Sequence, residues 1–499
     1  MRVSPRRIVQ AVLFGGFLVL FARTAYRGSD VLLWPVHGVF RLDPLAWVAA
    51  WLAGVPGVWG LAWAGAALLV GATVFLGRFF CGWMCPLGTC LDLAGPWIRR
   101  IRAPGRHGLS LSPRTAPALL LALVGAALAG LPWIGLFDPL SLFLRSLTLA
   151  VHPWADAGLR AGVRWVSALS PRAGDTLYPW LEPVMAFRAL AFAGAGLTAA
   201  VFAAVLALEA WAPRLWCSRL CPLGALLGLV ARLGPWRRAR ARECGMCRAC
   251  AIACPTGACA DDPADPGLCI QCGACSAACP QGGRRPAPAG RARPVRLAGR
   301  RVWIASALAG LAAGFLPRIR AEARERPSRF LRPPGARPEP EFLKRCIRCG
   351  ACMRVCPRTA LHPALSGAGL EGLWTPRLIP RIGYCEYHCR LCGQVCPTGA
   401  IGYLLEGEKE QWVIGLAVID RDRCLPFRAG RPCIVCEEHC PTQPKAIVLE
   451  ANPRPGGPRV PRVVEERCVG CGICENRCPL PGEAAVVVTR EKPQNFVYY

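Results

Sequence analysis

Apolar residues crowd the first 211 positions of this chain and thin out afterwards. Four stretches there, roughly 8–25, 56–78, 116–136 and 188–211, are long enough to cross a hydrocarbon core, which takes about 20 residues of helix. Between them, around 27–55 and 137–187, lie shorter Trp- and Pro-bearing pieces. Pieces such as Leu45 to Leu52 read as half-helices at an interface. Asp43-Pro44-Leu45 and Asp138-Pro139-Leu140 both suit a helix start, with an aspartate to cap and proline at the first helical position. A further apolar run after Arg301 has 15 residues before Pro317. As helix that is about 22 Å, short of a core of about 30 Å. Beyond residue 340 the pattern breaks into brief pieces that read as strands: Trp412 to Ile419, Ala446 to Leu449 and Ala484 to Val488.

Composition sharpens this picture. Hydrophobic residues make up 53% of the 499 positions, too many for an ordinary soluble chain, and the length implies several domains. The net charge of +29 could suggest nucleic acid, but the arginines flank apolar segments: Arg2/Arg6/Arg7, Arg99/Arg100/Arg102/Arg106 and Arg237/Arg238/Arg240/Arg242. No basic stretch is interleaved with stacking aromatics, so nucleic acid is not the expected partner and the lipid bilayer is. The positive-inside pattern puts Met1, the 99–115 loop and the 212–243 segment in the cytoplasm. The first apolar stretch reads as an anchor, with no cleavable signal peptide evident.

Cysteine spacing carries the chemistry. Four runs read C-x2-C-x2-C-x3-C-P: Cys244/Cys247/Cys250/Cys254, Cys269/Cys272/Cys275/Cys279, Cys346/Cys349/Cys352/Cys356 and Cys468/Cys471/Cys474/Cys478. Two more stretch the gaps: Cys385/Cys389/Cys392/Cys396 and Cys424/Cys433/Cys436/Cys440. Three thiolates at these intervals converge on one cubane, while the prolyl fourth ligates a neighbouring cluster. Zinc sites use paired C-x2-C, and disulfide scaffolds are short secreted chains. Six [4Fe–4S] clusters are expected. Fourteen residues lie between Cys254 and Cys269, so the first two runs should exchange fourth ligands, Cys279 for Cys254. The last four runs are separated by 27 or 28 residues throughout, and spacing does not decide their pairing. The fold class expected is an α-helical membrane domain with four spans and a short fifth, carrying α+β bacterial-type ferredoxin modules. Its divisions are a membrane domain (1–243), a two-cluster module (244–283), a basic linker with a short apolar segment (284–340) and a four-cluster module (341–499).

The membrane half repeats itself. Arg78 to Gly88 and Arg214 to Gly224 both read R-x-[FW]-C-x3-C-P-L-G. Two hairpins related by duplication would gather Cys81, Cys85, Cys217 and Cys221 on a pseudo-twofold axis, as a seventh metal or Fe–S site, a redox thiol pair, or simple packing. Arg78, Glu209 and Arg214 beside them could steer a quinol headgroup, or simply snorkel at the interface. His388 and His439 lie inside stretched runs as packing neighbours or substitute ligands, and Cys90 and Cys259 read as packing thiols. No C-x-x-C-H or mid-span histidine pair is present, and no G-x-G-x-x-G is read after a strand, so haem, flavin and nicotinamide are not expected.

Residues 281–301 form an Arg/Pro/Gly-rich linker ending in twin arginines, Arg300 and Arg301, ahead of the short apolar run. That arrangement resembles an internal twin-arginine export signal, which would carry a folded, cluster-loaded domain outward. Arg318, Arg320 and Arg324 beyond it count against export.

At this point residues 1–283 resemble the NapH-type membrane ferredoxin. Residues 296–490, with Arg332-Pro333-Pro334-Gly335-Ala336 and Gly415-Leu416-Ala417-Val418, resemble the NapG-type four-cluster ferredoxin. The resemblance implies an electron-transfer subunit of quinol dehydrogenase type rather than a stand-alone enzyme, with quinol as donor and a reductase or cytochrome as partner. It also implies a prokaryotic inner-membrane, multi-pass location, with 244–283 cytoplasmic and 341–499 extracytoplasmic. Resemblance to four-cluster subunits favours pairing the outer two and the inner two of the last four runs. A second reading is a maturation factor or copper reductase working through the C-x3-C-P thiols. A redox-sensing regulator is a third, for which no readout domain is present.

Overall fold

The computed structural model describes residues 4–490 except 27, 33, 102–110, 182–184, 186–189, 241–243, 245–246, 261, 280–283, 289–299, 323–327 and 366. A body of packed helices occupies most of the first 231 residues, with ferredoxin-like modules against it. Helix Pro5–Arg23 runs along this body for 19 residues, about 28 Å at 1.5 Å per residue. At its start, Gln10 Nε2 donates to the Gly82 carbonyl at 3.0 Å, and Gly82 abuts the Ile270 carbonyl of the first module. At its end, Arg354 of the second module donates to the Phe21 carbonyl and lies over the Phe21 ring. The two modules therefore meet opposite ends of one helix.

The four-span expectation is overturned. Among the described residues, one helix, Pro5–Arg23, is long and apolar enough to cross a membrane; the other apolar helices have 10–17 residues. Glycines in the left-handed region explain the shortening, because a helix stops where φ turns positive. The 56–78 stretch turns at Gly57 (φ 72°), and its α-helix, Ala64–Leu76, stops before Gly77 (φ 67°). The 116–136 stretch is helical only over Thr115–Leu128, ahead of Gly130 (φ 86°). The last begins at Ala195, after Gly194 (φ 80°).

Other expectations hold. Asp43 caps helix Pro44–Leu52 by accepting from Leu45 N at 2.9 Å, and Asp138 caps Pro139–Ser146 by accepting from Ser141 N at 2.7 Å. Phe143 of that second helix packs between Phe14 and Phe17, with ring centroids 5.9 and 5.6 Å away. The apolar run after the twin arginines is helical and forms part of the 23-residue helix Arg300–Glu322. It lies parallel to Thr115–Leu128, with Gly310 on the Ala122 carbonyl, Gly125 on the Ala307 carbonyl and Gly314 on Ala126 and Ala129. Most of the linker before it lies outside the described residues.

Each module is small and its strands are short. β1 (Trp236–Ala239) and β2 (Arg285–Pro288) pair antiparallel around the first two cysteine runs. In the second module, β3 (Leu361–Pro363) pairs with β4 (Pro376–Leu378), β5 (Leu416–Ile419) with β8 (Val486–Thr489), and β6 (Ile447–Glu450) with β7 (Val460–Val463). β6 and β8 fall within two residues of expected pieces, β5 starts four residues after Trp412, and the other strands have no counterpart in the sequence reading.

Small residues let the two parallel helices touch backbone to backbone, so added volume must push them apart. Gly310→Ala places a methyl against the Ala122 carbonyl oxygen and should destabilise the protein by about 1–3 kcal/mol in chemical unfolding. A neutral result would mean that this seam does not hold the helices.

Candidate iron–sulfur centres

Cysteines from neighbouring runs line common cages. Cys424, Cys433 and Cys436 face one void together with Cys478, the fourth cysteine of the last run. Cys468, Cys471 and Cys474 face another with Cys440, the fourth cysteine of the preceding run. Cys385, Cys389 and Cys392 share a third with Cys356. Cys346, Cys349 and Cys352 each lie close enough to Cys396 to feel its charge. Adjacent runs therefore exchange fourth ligands. The expected pairing of outer with outer and inner with inner is corrected: β5 pairs with β8, which folds the last run back beside the one before it. In the first module, Cys254 groups with Cys269, Cys272 and Cys275 as expected. Residues 245–246 and 280–283 flank the reciprocal group of Cys244, Cys247, Cys250 and Cys279 and are not among the described residues.

The donor set suits a cubane. Backbone amides approach the thiols: Ala360 N on Cys356 Sγ at 3.3 Å, and Ile401 N on Cys396, Ala417 N on Cys468 and Ala485 N on Cys478 at 3.4 Å. Such N–H···S bonds set cluster potentials. Gly350 (φ 80°) and Gly472 (φ 78°) turn the chain just after the second cysteine of their runs, where the loop must wrap. Burial pushes the Cys385 thiol up to about 11 and Cys471 up to about 12, so four free thiolates would be costly in such a cage and positive iron offsets them. Among the described residues, no three Cys, His, Asp or Glu side chains converge as tightly as a single metal ion asks. A cubane spreads its ligands wider than one ion with bonds of about 2.3 Å.

The cages form a line that does not follow chain order. Gly350, in the Cys346 loop, sits against Arg145 of the helical body, and Arg145 Nη1 donates to the Arg348 carbonyl at 3.2 Å. The Cys385 cage follows through the Cys356–Cys396 exchange. Cys385 N then donates to the Cys471 carbonyl at 2.9 Å, which joins it to the Cys468 cage. The Cys424 cage comes last, beside an exposed loop, 428–432, and exposed Ile434.

The duplicated thiols meet as well. Cys81, Cys85, Cys217 and Cys221 are all buried, and each of Cys85, Cys217 and Cys221 feels the charge of Cys81. Burial first, then mutual repulsion, lifts Cys85 and Cys221 well above the ordinary thiol range and Cys217 to about 11. Two buried arginines cross between the repeats. Arg78 Nη2 donates to the Cys217 carbonyl at 2.9 Å, and Arg214 Nη1 donates to the Cys81 carbonyl at 2.6 Å. Arg214 also grips Asp92 at 2.6 and 2.8 Å, whereas the position matching Asp92 in the second repeat is Gly228. There the Gly267 carbonyl of the first ferredoxin module packs on Gly228 and accepts from Arg78 at 2.7 Å. Glu209 is buried, accepting from Arg214 N at 2.7 Å and pairing with Arg99 at 2.8 Å.

One feature escaped the sequence reading. Asp43 and Asp138, taken as helix caps alone, are fully buried near each other, and burial raises both carboxyls. Cys259, read as packing, is buried and packs against Cys275 and Cys254. The histidines stay out of the cages: exposed His388 pairs with Glu410 at 2.6 Å, and His439 Nδ1 contacts the Val435 carbonyl at 3.0 Å.

Ligand exchange makes a sharp prediction. Cys356→Ala should remove the cluster signal of the Cys385 cage and spare that of the Cys346 cage, read by EPR and iron content on the anaerobic protein. Loss of the Cys346 signal instead would reverse the assignment.

Known proteins match in the same places. The model of a 4Fe-4S binding domain matches residues 56–104 and again 192–240, the two copies of the C-x3-C-P repeat. Models of 4Fe-4S dicluster domains match 268–361 and 345–400, and another 4Fe-4S binding domain model matches 465–489. The methylamine utilization ferredoxin-type protein MauM of Methylorubrum extorquens is 36% identical over 188 residues, 37% of this chain and 82% of that protein. Ferredoxin-type protein NapG of Escherichia coli K12 is 39% identical over 148 residues, 28% of this chain and 63% of NapG. The methylamine utilization ferredoxin-type protein MauN of Methylorubrum extorquens is 30% identical over 268 residues, 50% of this chain and 74% of MauN. No solved structure matches. With its cages, their adjacent exchange and this coverage, the chain belongs to the MauM family of ferredoxin-type iron–sulfur electron-transfer proteins, with NapG as a further relative.

Proposed function

We propose that this protein is a membrane-attached relay that takes electrons from a lipid-dissolved quinol and hands them, through six [4Fe–4S] clusters, to a soluble redox partner such as a reductase or cytochrome. The carrying observation is the line of four cages leading from the helical body at Gly350 to the exposed 428–434 loop. A stand-alone enzyme would need a substrate site at a cluster; a relay needs closely spaced carriers and an exposed terminus. Helix Pro5–Arg23, apolar and with Ile8, Val12 and Val19 exposed, supplies the anchor. In this reading the module at 328–490 lies outside the cytoplasmic membrane of a prokaryote. Arg300 and Arg301 ahead of the docked helix support export of the second module as a folded body. Likeness to MauN over 50% of the chain and to MauM over 37% supports a fusion of two subunits.

The four C-x3-C-P thiols form a seventh centre in this reading. A cluster held by four thiolates is an anion, and Arg78 and Arg214 bring buried positive charge to it. Their convergence also gives the competing reading, copper reduction or cofactor maturation, its one point of support.

Purified without oxygen, the protein should hold about 24 irons, or about 28 with the seventh centre filled, and no stoichiometric zinc. Cys81→Ser with Cys217→Ser should lower the count by about four and spare the signals of the other six. An iron count far below twenty in the unmodified protein sinks the relay. Tight Cu(I) binding at these thiols, with reductase activity surviving deletion of residues 341–499, would transfer the function to metal reduction.

A further inference from the structure

Between the segment after the anchor helix and the second module lies a cavity of about 690 Å³. We propose that it is the quinol site. This rests on the quinol-fed relay above and gives that reading a place and a set of residues.

Its floor is a cluster ligand. Cys396, which closes the Cys346 cage nearest the helical body, lines the cavity. Its walls are aromatic and cationic. Trp63 and Tyr403 supply ring faces, Arg41 lies over Trp63 at 4.9 Å, and Arg345 enters from the module. Arg345 is 8% exposed; its Nη2 pairs with Glu341 at 2.7 Å, and its Nε is buried without a partner. His37 Nδ1 is buried and unpartnered too. No carboxylate lines the cavity among the described residues. The volume suits a single ring with substituents.

The rim indicates where the ligand comes from. Gly57 and Ala62 line the cavity, and between them Trp59 is 73% and Leu61 93% exposed. Trp34 and Trp51 are also exposed in this segment. Exposed tryptophans beside an anchor helix are the mark of a lipid headgroup boundary, where the polar ring of a quinol resides. A free oxyanion would need the arginines alone; the ring walls and apolar rim favour the lipid-dissolved aromatic.

The chemistry balances. Hydroquinone gives up two electrons and two protons to become quinone. The guanidinium of Arg41, on the cavity wall, stabilises the deprotonated ring and so eases electron loss. The electrons leave singly past Cys396 into the Cys346 cage, the first moving on to the Cys385 cage before the second follows. His37 lines the cavity with its Nδ1 buried and unpartnered, and this nitrogen relays the first proton towards the mouth. The second proton leaves by the cavity mouth. Arg78, Glu209 and Arg214 take no part, being committed to the thiol turns.

The test uses the full-length, cluster-loaded protein in lipid nanodiscs, with a benzoquinone bearing one isoprene unit as probe. Oxidised probe should perturb the EPR signal of one cluster, the one lost in Cys396→Ala. Arg41→Ala should abolish that perturbation and raise KM for the reduced probe by about tenfold, with iron content and reduction by dithionite unchanged. His37→Gln should lower kcat more than it raises KM. If both variants oxidise the quinol as the unmodified protein does, the site is elsewhere. If sulfate shifts the cluster signal and the quinone does not, the cavity is an oxyanion site and the proposal falls. Perturbation by the quinone without turnover of the quinol supports the binding site and overturns the quinol-fed relay instead.

Discussion

Exchange of the fourth cysteine is the constraint on which the rest of the second module depends. Because Cys356 and Cys396 trade cages, and Cys440 and Cys478 do the same, no run of cysteines can close alone. Each pair of runs must fold against its neighbour before either cluster is complete. The strands are three or four residues long and could not organise this by themselves. Iron and sulfide thus stand where a larger domain would have a hydrophobic core, and buried thiols become stable ligands only when metal takes their protons. The same exchange sets carriers side by side, so the folding constraint and the conducting path are one arrangement.

In the helical body the corresponding device is the crossed pair of arginines. A duplicated motif gives each repeat an arginine three residues before its first cysteine, and each arginine serves the carbonyl of the other repeat's cysteine. The two halves of the motif are incomplete apart. Symmetry then breaks at one residue. Asp92 neutralises Arg214, while Gly228 in the matching position leaves room for the Gly267 carbonyl, which takes up Arg78. An aspartate at 228 would compete with that carbonyl for the guanidinium. A glycine there turns an internal ion pair into a docking point for the first ferredoxin module. At the other end of the repeat, Asp43 and Asp138 lie buried near each other, a neighbourhood that again requires both copies.

Much of this was legible in the sequence, and the exceptions have physical causes. Cysteine spacing identified the cages, because ligand geometry is local. The repeat brought Cys81, Cys85, Cys217 and Cys221 to one axis, because duplication implies a pseudo-twofold contact. Aspartate-proline pairs marked two helix starts correctly. Span number was misread, since hydropathy counts apolar side chains and is blind to a backbone turned by Gly57, Gly77, Gly130 or Gly194. Pairing of the last four runs was misread because their intervals are nearly equal and the decision rests on a strand contact, β5 with β8, across some 70 residues.

The order of cages bears on what the molecule can transmit. Electrons entering at the Cys346 cage would visit the Cys385, Cys468 and Cys424 cages in turn, reversing chain order at the last step. The last run is therefore internal to the path, and the stretched run, with eight residues between Cys424 and Cys433, is terminal. That insertion lies in the exposed 428–432 loop, with Arg428 and Arg431 at its margins. A terminal carrier must come close to a partner's cofactor without exposing iron to water, and a longer ligand loop does both by covering the cage while offering a basic surface. The one run whose spacing departs most from the ferredoxin pattern is thus the one that the fold sets at the far end of the line of cages.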